Sequence, residues 1–221
     1  MKLKTPHIIQ ESNLKYEIGS LKNNYILYDF DKMLSYLDAK GRMLFGKNFK
    51  IHSDDLEIIY KLCLYTIQDV EKCKKYKIGP NKGILLSGPV GCGKTSLMKL
   101  LRHLTPHKKK YKIIPSRNAV FSFNHFGFKT IEDYGNSSFY CFDDIGVEPK
   151  GKHFGQDCNV IGEILLSRYD LYLNPRKKIK THGTTNLNAE ELEERYGNRV
   201  RSRMRQMFNL LAFEKTSKDK R

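Results

Sequence analysis

The sequence predicts an α/β fold whose parallel strands end at one edge of a sheet. Three stretches each follow a predicted strand: residues 88–95, the pair Asp143 and Asp144, and Asn186. In open α/β folds, ligands bind at the carboxyl ends of the strands. The three stretches are therefore expected to meet at one site, to which each contributes different groups.

Residues 88–95 read Gly-Pro-Val-Gly-Cys-Gly-Lys-Thr, the G-x-x-x-x-G-K-T pattern of a phosphate-binding loop. Its glycines let successive backbone N–H groups point at phosphate oxygens. Lys94 is expected to reach the β- and γ-phosphates, and the Thr95 hydroxyl to complete a Mg²⁺ shell. The run Gly83–Ser87 predicts a buried strand before the loop, and a helix begins near Ser96 with its N-terminus facing the phosphates. The predicted nucleotide contacts are Gly88, Pro89, Val90, Gly91, Cys92, Gly93, Lys94, Thr95 and Ser96.

Residues 139–145, Phe-Tyr-Cys-Phe-Asp-Asp-Ile, match the Walker B pattern of an apolar strand followed by acidic residues. Asp143 is expected to hold Mg²⁺ through water, together with Thr95. Asp144 is placed to polarise the water that attacks the γ-phosphate. A strand over residues 179–184 then leads to Asn186, which is expected to orient this water and to sense the γ-phosphate.

An arginine-rich segment follows these strands. Asn188 is predicted to cap a helix over residues 189–196, and Gly197 to end it. A second helix carries Arg199, Arg201, Arg203 and Arg205, with positions four apart sharing a face. These faces could contact nucleotide or DNA, or form a merely basic surface, and the spacing does not decide between the two.

Composition limits the function classes. Lys and Arg number 40 against 24 Asp and Glu in 221 residues, a net charge of +16 that favours polyanionic partners, nucleic acid before membrane. Five cysteines without a C-x-x-C pair indicate reduced thiols rather than a disulfide framework or a zinc site. No apolar run reaches the ~18 residues of a membrane span, and residues 1–6 lack a signal-peptide core. The sequence therefore predicts a cytoplasmic protein with no membrane segment.

The remaining segments give three predicted regions: residues 1–52 as a partner-binding or cap segment, 53–215 as the ATPase core, and 216–221 as a basic tail. Within the core, Ser53 is predicted to cap one helix that runs to about Lys75. A helix from Ser116 to about Phe126 has three phenylalanines, Phe121, Phe123 and Phe126, which are interpreted as core residues rather than base-stacking platforms. Residues 147–158 are predicted to form a polar loop, and residues 214–221 a frayed tail.

The motifs GPVGCGKT, FDDIG, TTN and YGNRVRSRM, in this order, resemble those of the AAA+ ATPases of the DnaC helicase-loader and IstB transposition-ATPase group. The resemblance covers about residues 79–213. It implies a P-loop NTPase αβα sandwich with a five-stranded parallel sheet, ATP and Mg²⁺ as cofactors, and assembly into rings or filaments around DNA. About eight residues follow the last predicted strand, so the helical lid of full AAA+ modules is expected to be absent or minimal.

The resemblance also implies roles for particular residues. Arg203 occupies the place of the arginine that acts in trans on the ATP of a neighbouring subunit. Arg199 matches the other arginine of that motif, which contacts nucleotide or the subunit interface. Asp144 stands at the position of the catalytic acid and Asn186 at sensor 1.

Together these features predict an ATP hydrolase that assembles on DNA, with single-stranded DNA expected before duplex, and that serves helicase loading or a related replication or transposition step. A replicative helicase or a transposase is the expected protein partner. Three alternatives stay open: a superfamily 3 helicase, a P-loop nucleotide or small-molecule kinase, and a DNA-binding adaptor that does not hydrolyse ATP. A GTPase is disfavoured, because the sequence has no Asn-Lys-x-Asp motif for guanine.

Overall fold

The computed structural model describes residues 5–176 and 179–220. The residues outside these ranges are 1–4 of the predicted N-terminal segment, Lys177 and Lys178, which precede the predicted strand 179–184, and Arg221 of the predicted tail. The described chain divides into two compact units, residues 5–80 with 96–110 and residues 81–95 with 111–220. Every helix in the described ranges is too short or too polar to cross a lipid bilayer.

The strands are β1 (Ile8–Glu11), β2 (Leu14–Glu17), β3 (Gly19–Lys22), β4 (Tyr25–Tyr28), β5 (Gly83–Ser87), β6 (Lys112–Pro115), β7 (Tyr140–Asp143), β8 (Gly151–His153), β9 (Gln156–Cys158), β10 (Thr181–Thr185) and β11 (Phe208–Ala212). The α-helices are α1 (Phe30–Phe45), α2 (Leu56–Ile67), α3 (Val70–Lys75), α4 (Lys94–Leu104), α5 (Ser116–Phe126), α6 (Phe128–Tyr134), α7 (Val160–Leu173) and α8 (Ala189–Met207). A short 3-10 helix, Ser53–Asp55, precedes α2.

The first unit combines two antiparallel hairpins, β1–β2 and β3–β4, with helices α1 to α3 and most of α4. Hairpin β1–β2 is tied to α1 through Glu11, whose carboxylate accepts hydrogen bonds from the Tyr36 hydroxyl (2.8 Å) and the Lys40 ammonium (2.7 Å). Tyr36 is buried and Lys40 nearly so, so this ion pair is shielded from solvent. These strands hold residues that the sequence patterns left unassigned.

The prediction of a single helix from Ser53 to Lys75 is wrong, because the chain forms two helices there. Gln68 adopts a left-handed conformation (φ 64°) that ends α2, and Asp69 then caps α3 by accepting from the Lys72 N–H (3.0 Å). Ser53 lies inside the 3-10 helix instead of capping α2, and its hydroxyl donates to the adjacent Asp54 carboxylate. The apolar periodicity continued through the break, so it could not reveal the change of direction at Gln68.

The second unit contains a five-stranded parallel sheet in the order β6-β7-β10-β5-β11. This confirms the predicted P-loop NTPase fold class. Strands β7 and β10 are buried at every residue, as expected for a parallel sheet covered on both faces. Because β10 lies between β5 and β7, the residues that follow these three strands lie side by side at one edge.

Two other expectations for the second unit need correction. Residues 147–158 do not form a simple loop, because they include the antiparallel hairpin β8–β9. Of the three phenylalanines on α5, only Phe123 is buried, while Phe121 and Phe126 are exposed. Helix α5 packs through one face, which includes Ala119, Val120 and Phe123 at helical spacing, and the other two rings project from the remaining faces.

Candidate nucleotide-binding site

The phosphate-binding loop joins β5 directly to α4, as the sequence predicts. Gly91 and Gly93 have φ values of 82° and 99°, in the left-handed region that glycine adopts without steric cost. Lys94 begins α4 and is buried. Its ammonium donates to the carbonyl oxygens of Gly88 and Pro89, both at 2.8 Å. The loop therefore holds the lysine cation against its own backbone.

Asp143 and Thr95, which come from different motifs, are in direct contact. The Thr95 hydroxyl donates to Asp143 Oδ1 at 2.8 Å. The Thr184 hydroxyl donates to the same oxygen at 2.7 Å. Asp143 and Thr184 are both buried, so this network places an ionisable carboxylate, a helix N-terminus and a strand end within hydrogen-bond distance.

The donor set fits Mg²⁺. This ion prefers oxygen ligands and is usually bound by one or two carboxylates, with water and substrate phosphates completing the octahedron. The Asp143 carboxylate and the Thr95 hydroxyl are such ligands. Within residues 5–176 and 179–220, no group of three or more His, Cys, Asp or Glu side chains is arranged to hold a metal. Water and phosphate oxygens would complete the shell of a Mg²⁺ ion bound here.

Asp144 follows the strand in a left-handed backbone conformation (φ 57°), which aspartate tolerates better than most side chains. Its N–H donates to Thr184 Oγ1 at 2.9 Å, and its side chain is exposed. Thr184 thus bonds to both aspartates, donating to the carboxylate of Asp143 and accepting from the backbone of Asp144. The sequence analysis gave Thr184 no role, because a threonine in a strand carries no signal for such a bridge.

Asn186 lies just beyond β10, beside the end of β7. Its Oδ1 is buried and has no hydrogen-bond partner among the described residues. An unsatisfied buried polar atom costs about 1–3 kcal/mol, and in native proteins it calls for a bound water, ion or ligand. The neighbouring Thr185 hydroxyl donates to the Ile145 carbonyl (2.7 Å) and accepts from the Leu187 N–H (3.1 Å). These bonds fix the backbone on both sides of Asn186.

A second network holds the loop that follows Asp144. Glu148 is buried, and its carboxylate accepts from the Gly146 N–H (2.8 Å) and from the Tyr196 hydroxyl (2.6 Å). Burial and then Glu148 raise the pKa of Tyr196, which keeps this hydroxyl protonated as the donor. Arg195 donates to the Glu148 carbonyl oxygen. The motif sequence contains Tyr196, but without the fold nothing indicated its link to the Walker B loop.

The arginine-rich segment has the predicted break. Asn188 forms a capping box with Glu191, and Gly197 (φ 79°, ψ 160°) interrupts the helical conformation within α8. The prediction that Arg201 and Arg205 share an exposed or nucleotide-facing side of the helix does not hold for Arg201. Arg201 is buried, and its Nε donates to the Ala189 carbonyl at 3.3 Å. Arg201 therefore links the two halves of α8 instead of facing nucleotide or DNA.

The other arginines lie closer to solvent. Arg203 donates from Nη1 to the Arg199 carbonyl (3.1 Å), and its guanidinium lies 5.4 Å from the Tyr169 ring centroid on α7. Arg199 and Arg205 are exposed, and Arg205 lies 3.7 Å from Glu193. Among the described residues, these hydrogen-bond and ring contacts of Arg203 are with α7 and α8, not with the phosphate loop.

The C-terminal residues differ from the predicted frayed tail. The Lys220 N–H donates to the Gly91 carbonyl (3.1 Å), and the Lys220 ammonium donates to the Cys92 carbonyl (3.3 Å). A Cβ atom on Gly91 would lie 2.3 Å from the Asp219 carboxylate, so the chain passes close to this glycine. The described end of the chain therefore packs on the phosphate-binding loop.

Neither a protein-family model nor a curated protein matches the sequence. The fold is similar to a crystal structure of the DnaC helicase loader, with a TM-score of 0.54 and 19% identity over 75% of this chain and 93% of that one. It is equally similar to a putative primosome component from Streptococcus pyogenes serotype M3, with a TM-score of 0.54 and 19% identity over 81% and 90% of the two chains. The resemblance inferred from the motifs is thus confirmed at the level of the fold.

Proposed function

We propose that this protein is a Mg²⁺-dependent ATPase that assembles on DNA and couples ATP binding and hydrolysis to helicase loading or a related replication or transposition step. The observation that carries the proposal is the convergence of Lys94, Asp143 and Asn186 at the ends of three adjacent strands, β5, β7 and β10. Each brings a different group to one edge: a cation, a metal-binding carboxylate and an amide with a buried, unsatisfied oxygen.

ATP binding is assigned to residues 88–96, whose backbone N–H groups and helix N-terminus suit phosphate oxygens. Phosphate oxygens are stronger acceptors for the Lys94 ammonium than the neutral carbonyls of Gly88 and Pro89 that it contacts here. The Thr95 hydroxyl and the Asp143 carboxylate would hold Mg²⁺. When bound, this ion would neutralise charge on the β- and γ-phosphates.

Hydrolysis is assigned to Asp144 and Asn186. Asp144 would accept a proton from the attacking water, which its exposed side chain can reach, whereas the Asp143 carboxylate accepts from Thr95 and Thr184. The Asn186 Oδ1 atom would accept a hydrogen bond from the same water, which gives this buried oxygen the partner that it otherwise lacks. Thr184, which bonds to both aspartates, would position Asp143 for the metal and Asp144 for the water.

The transition state requires a further positive charge, and we assign it to Arg203 of a neighbouring copy. In its own chain Arg203 lies along α7 and α8. Arg199, one turn earlier and exposed, would contact nucleotide or the same interface. The rate then depends on self-assembly into a ring or filament, because the phosphate loop and the arginine come from different copies.

DNA is the proposed platform for assembly. The net charge of +16 favours a polyanion, and the two proteins of similar fold are a helicase loader and a putative primosome component. A replicative helicase is accordingly the proposed protein partner, with a transposase as the other candidate. We propose the cytoplasm as the compartment.

Steady-state ATP hydrolysis at increasing protein concentration, with and without single-stranded DNA, tests this proposal. The rate per subunit is expected to rise with concentration and to rise further with DNA. A rate that is independent of both, together with transfer of the γ-phosphate to a nucleoside monophosphate, would replace it with a kinase. Binding of ATP without turnover under every condition would replace it with a nucleotide-dependent adaptor.

A further inference from the structure

The tip of hairpin β8–β9 carries an exposed phenylalanine, Phe154. Phe154 is 94% exposed, although a phenyl ring gains free energy by leaving water. It is also held at φ 46°, followed by Gly155 at φ 81°. Positive φ at both positions is the type I′ form of a two-residue hairpin loop, which favours Asn-Gly or Asp-Gly. A bulky aromatic residue in this conformation carries backbone strain, and strain of this kind concentrates at functional sites.

The hairpin is a rigid support for this ring. The Lys152 N–H donates to the Asn124 side chain at 2.7 Å, and the His153 ring contacts the Asn124 carbonyl at 3.2 Å. Gly151 packs so closely that a Cβ atom there would lie 2.4 Å from Val160 and 2.8 Å from Phe123. The hairpin therefore docks on the end of α5 and the start of α7, and its two-residue tip is exposed.

The exposed ring continues a series of aromatic contacts. Phe154 lies 4.3 Å from His153 between ring centroids, His153 lies 5.9 Å from Phe123, and Phe123 lies 5.6 Å from Phe128. Phe128 is 63% exposed and Phe126 is 68% exposed, on the two sides of a glycine that packs against the His153 ring. We call Phe126, Phe128, His153 and Phe154 the aromatic patch.

Charges around the patch favour an anionic partner. Lys152, two residues before Phe154, and Lys150, just before β8, are both exposed, while Asp157 lies opposite Lys152 in the hairpin register. Lys129, next to Phe128, is paired with Asp133 at 2.8 Å. Proteins that bind single strands without sequence preference combine such lysines with aromatic rings on which bases stack. Unpaired bases expose the faces on which a protruding phenyl ring such as Phe154 can stack.

We propose that the aromatic patch is a contact site for single-stranded DNA, with a base stacked on Phe154 and phosphates near Lys150 and Lys152. The inference rests on the proposed function, since it assigns the DNA contact of that ATPase to particular residues. The interpretation of the α5 phenylalanines as core is thereby replaced for Phe126, which belongs to this surface.

The test is binding of fluorescent oligothymidylate, measured by anisotropy at several salt concentrations. Phe154→Ala and Phe154→Leu are both expected to weaken binding by about ten- to a hundredfold, and Phe154→Trp to retain it, because a base stacks on an aromatic face. The salt dependence should stay unchanged in the three variants, whereas Lys152→Ala should lower the slope by about 0.7. Tyr25→Ala, which removes another highly exposed ring, is the matched control and should bind normally.

Phe154→Asn separates folding from recognition. Asparagine suits the first loop position of this hairpin, so the variant should melt at or above the wild-type temperature while it loses DNA affinity. Normal binding by Phe154→Asn or Phe154→Leu would overturn the inference and leave an apolar contact with a protein as the explanation of the exposed ring. If the wild-type chain itself fails to bind oligothymidylate, the DNA step of the proposed function fails as well. Tighter binding of oligouridylate would overturn DNA as the partner.

Discussion

The carboxyl edge of the sheet and the second half of α8 both carry residues proposed for catalysis, yet they are built differently. At the sheet edge, Thr95, Asp143 and Thr184 bond to one another within one chain. On α8, Arg203 contacts Tyr169 and the Arg199 carbonyl. Under the proposed function, one copy would bind the nucleotide and place the water, and the arginine would reach the site from a second copy.

The largest expected effect tests the α8 side of this comparison. Arg203→Ala should lower ATP turnover by about 10³-fold or more, because an arginine that stabilises phosphoryl transfer contributes about 10³–10⁵ in rate. ATP affinity should change little, as measured with a fluorescent nucleotide. Arg205→Ala is the matched control, since this exposed arginine on the same helix lies near Glu193 and should leave turnover intact.

Asp144→Asn tests the proposed general base at the sheet edge, and its expected effect on turnover is the second largest. Turnover should fall by about 10²–10⁴-fold, the usual contribution of a general base, while ATP still binds. Asparagine tolerates the left-handed backbone at this position, so the fold should persist. Mixing this variant with Arg203→Ala should recover part of the activity, because mixed interfaces then pair an intact Asp144 with an intact Arg203. No recovery in mixtures that still assemble would contradict an arginine acting in trans.

Thr184→Val tests whether the buried network positions the two aspartates. The change keeps the shape but removes the donor to Asp143 and the acceptor for the Asp144 N–H. Turnover should fall by about 10²-fold through misplacement, and the free energy of unfolding by about 1–3 kcal/mol. Thr184→Ser keeps the hydroxyl and should restore most of both. Equal activity of the Val and Ser variants would show that Asp144 needs no such support.

Tyr196→Phe should have the smallest effect, mainly on stability. It removes the hydrogen bond to the buried Glu148 carboxylate, and bonds to charged groups contribute about 1.5–3 kcal/mol. Chemical denaturation would measure the loss. Tyr169→Phe is the control, because its hydroxyl bonds to Gln206 at an exposed site and should contribute less. A loss no greater than that of the control would mean that Glu148 is adequately bonded by Gly146 and Arg195 alone.

The amino-acid sequence by itself determined the parts of this protein that depend on neighbouring residues in the chain. The phosphate loop is contiguous with the strand before it and the helix after it. Its residue types and spacing therefore predicted the P-loop fold and singled out Lys94 and Thr95 as candidate site residues. The break at Gly197 and the cap at Asn188 were likewise predictable, because each depends on local backbone preferences. The apolar runs of β5 and β7 indicated buried strands for the same reason.

Only the tertiary structure decided which distant residues meet. The order of the strands brings Thr184 on β10 within hydrogen-bond distance of Asp143 and Asp144, and no local pattern encodes a hydroxyl that bridges two strands. Helical spacing could not tell which face of α5 is covered, so Phe121 and Phe126 were misassigned to the core. Hairpin β8–β9 has only three residues in each strand, too few for a recognisable alternation, and its position depends on docking against Asn124 and Val160. Burial and contact are properties of the packed chain, since they arise from elements that are far apart in sequence.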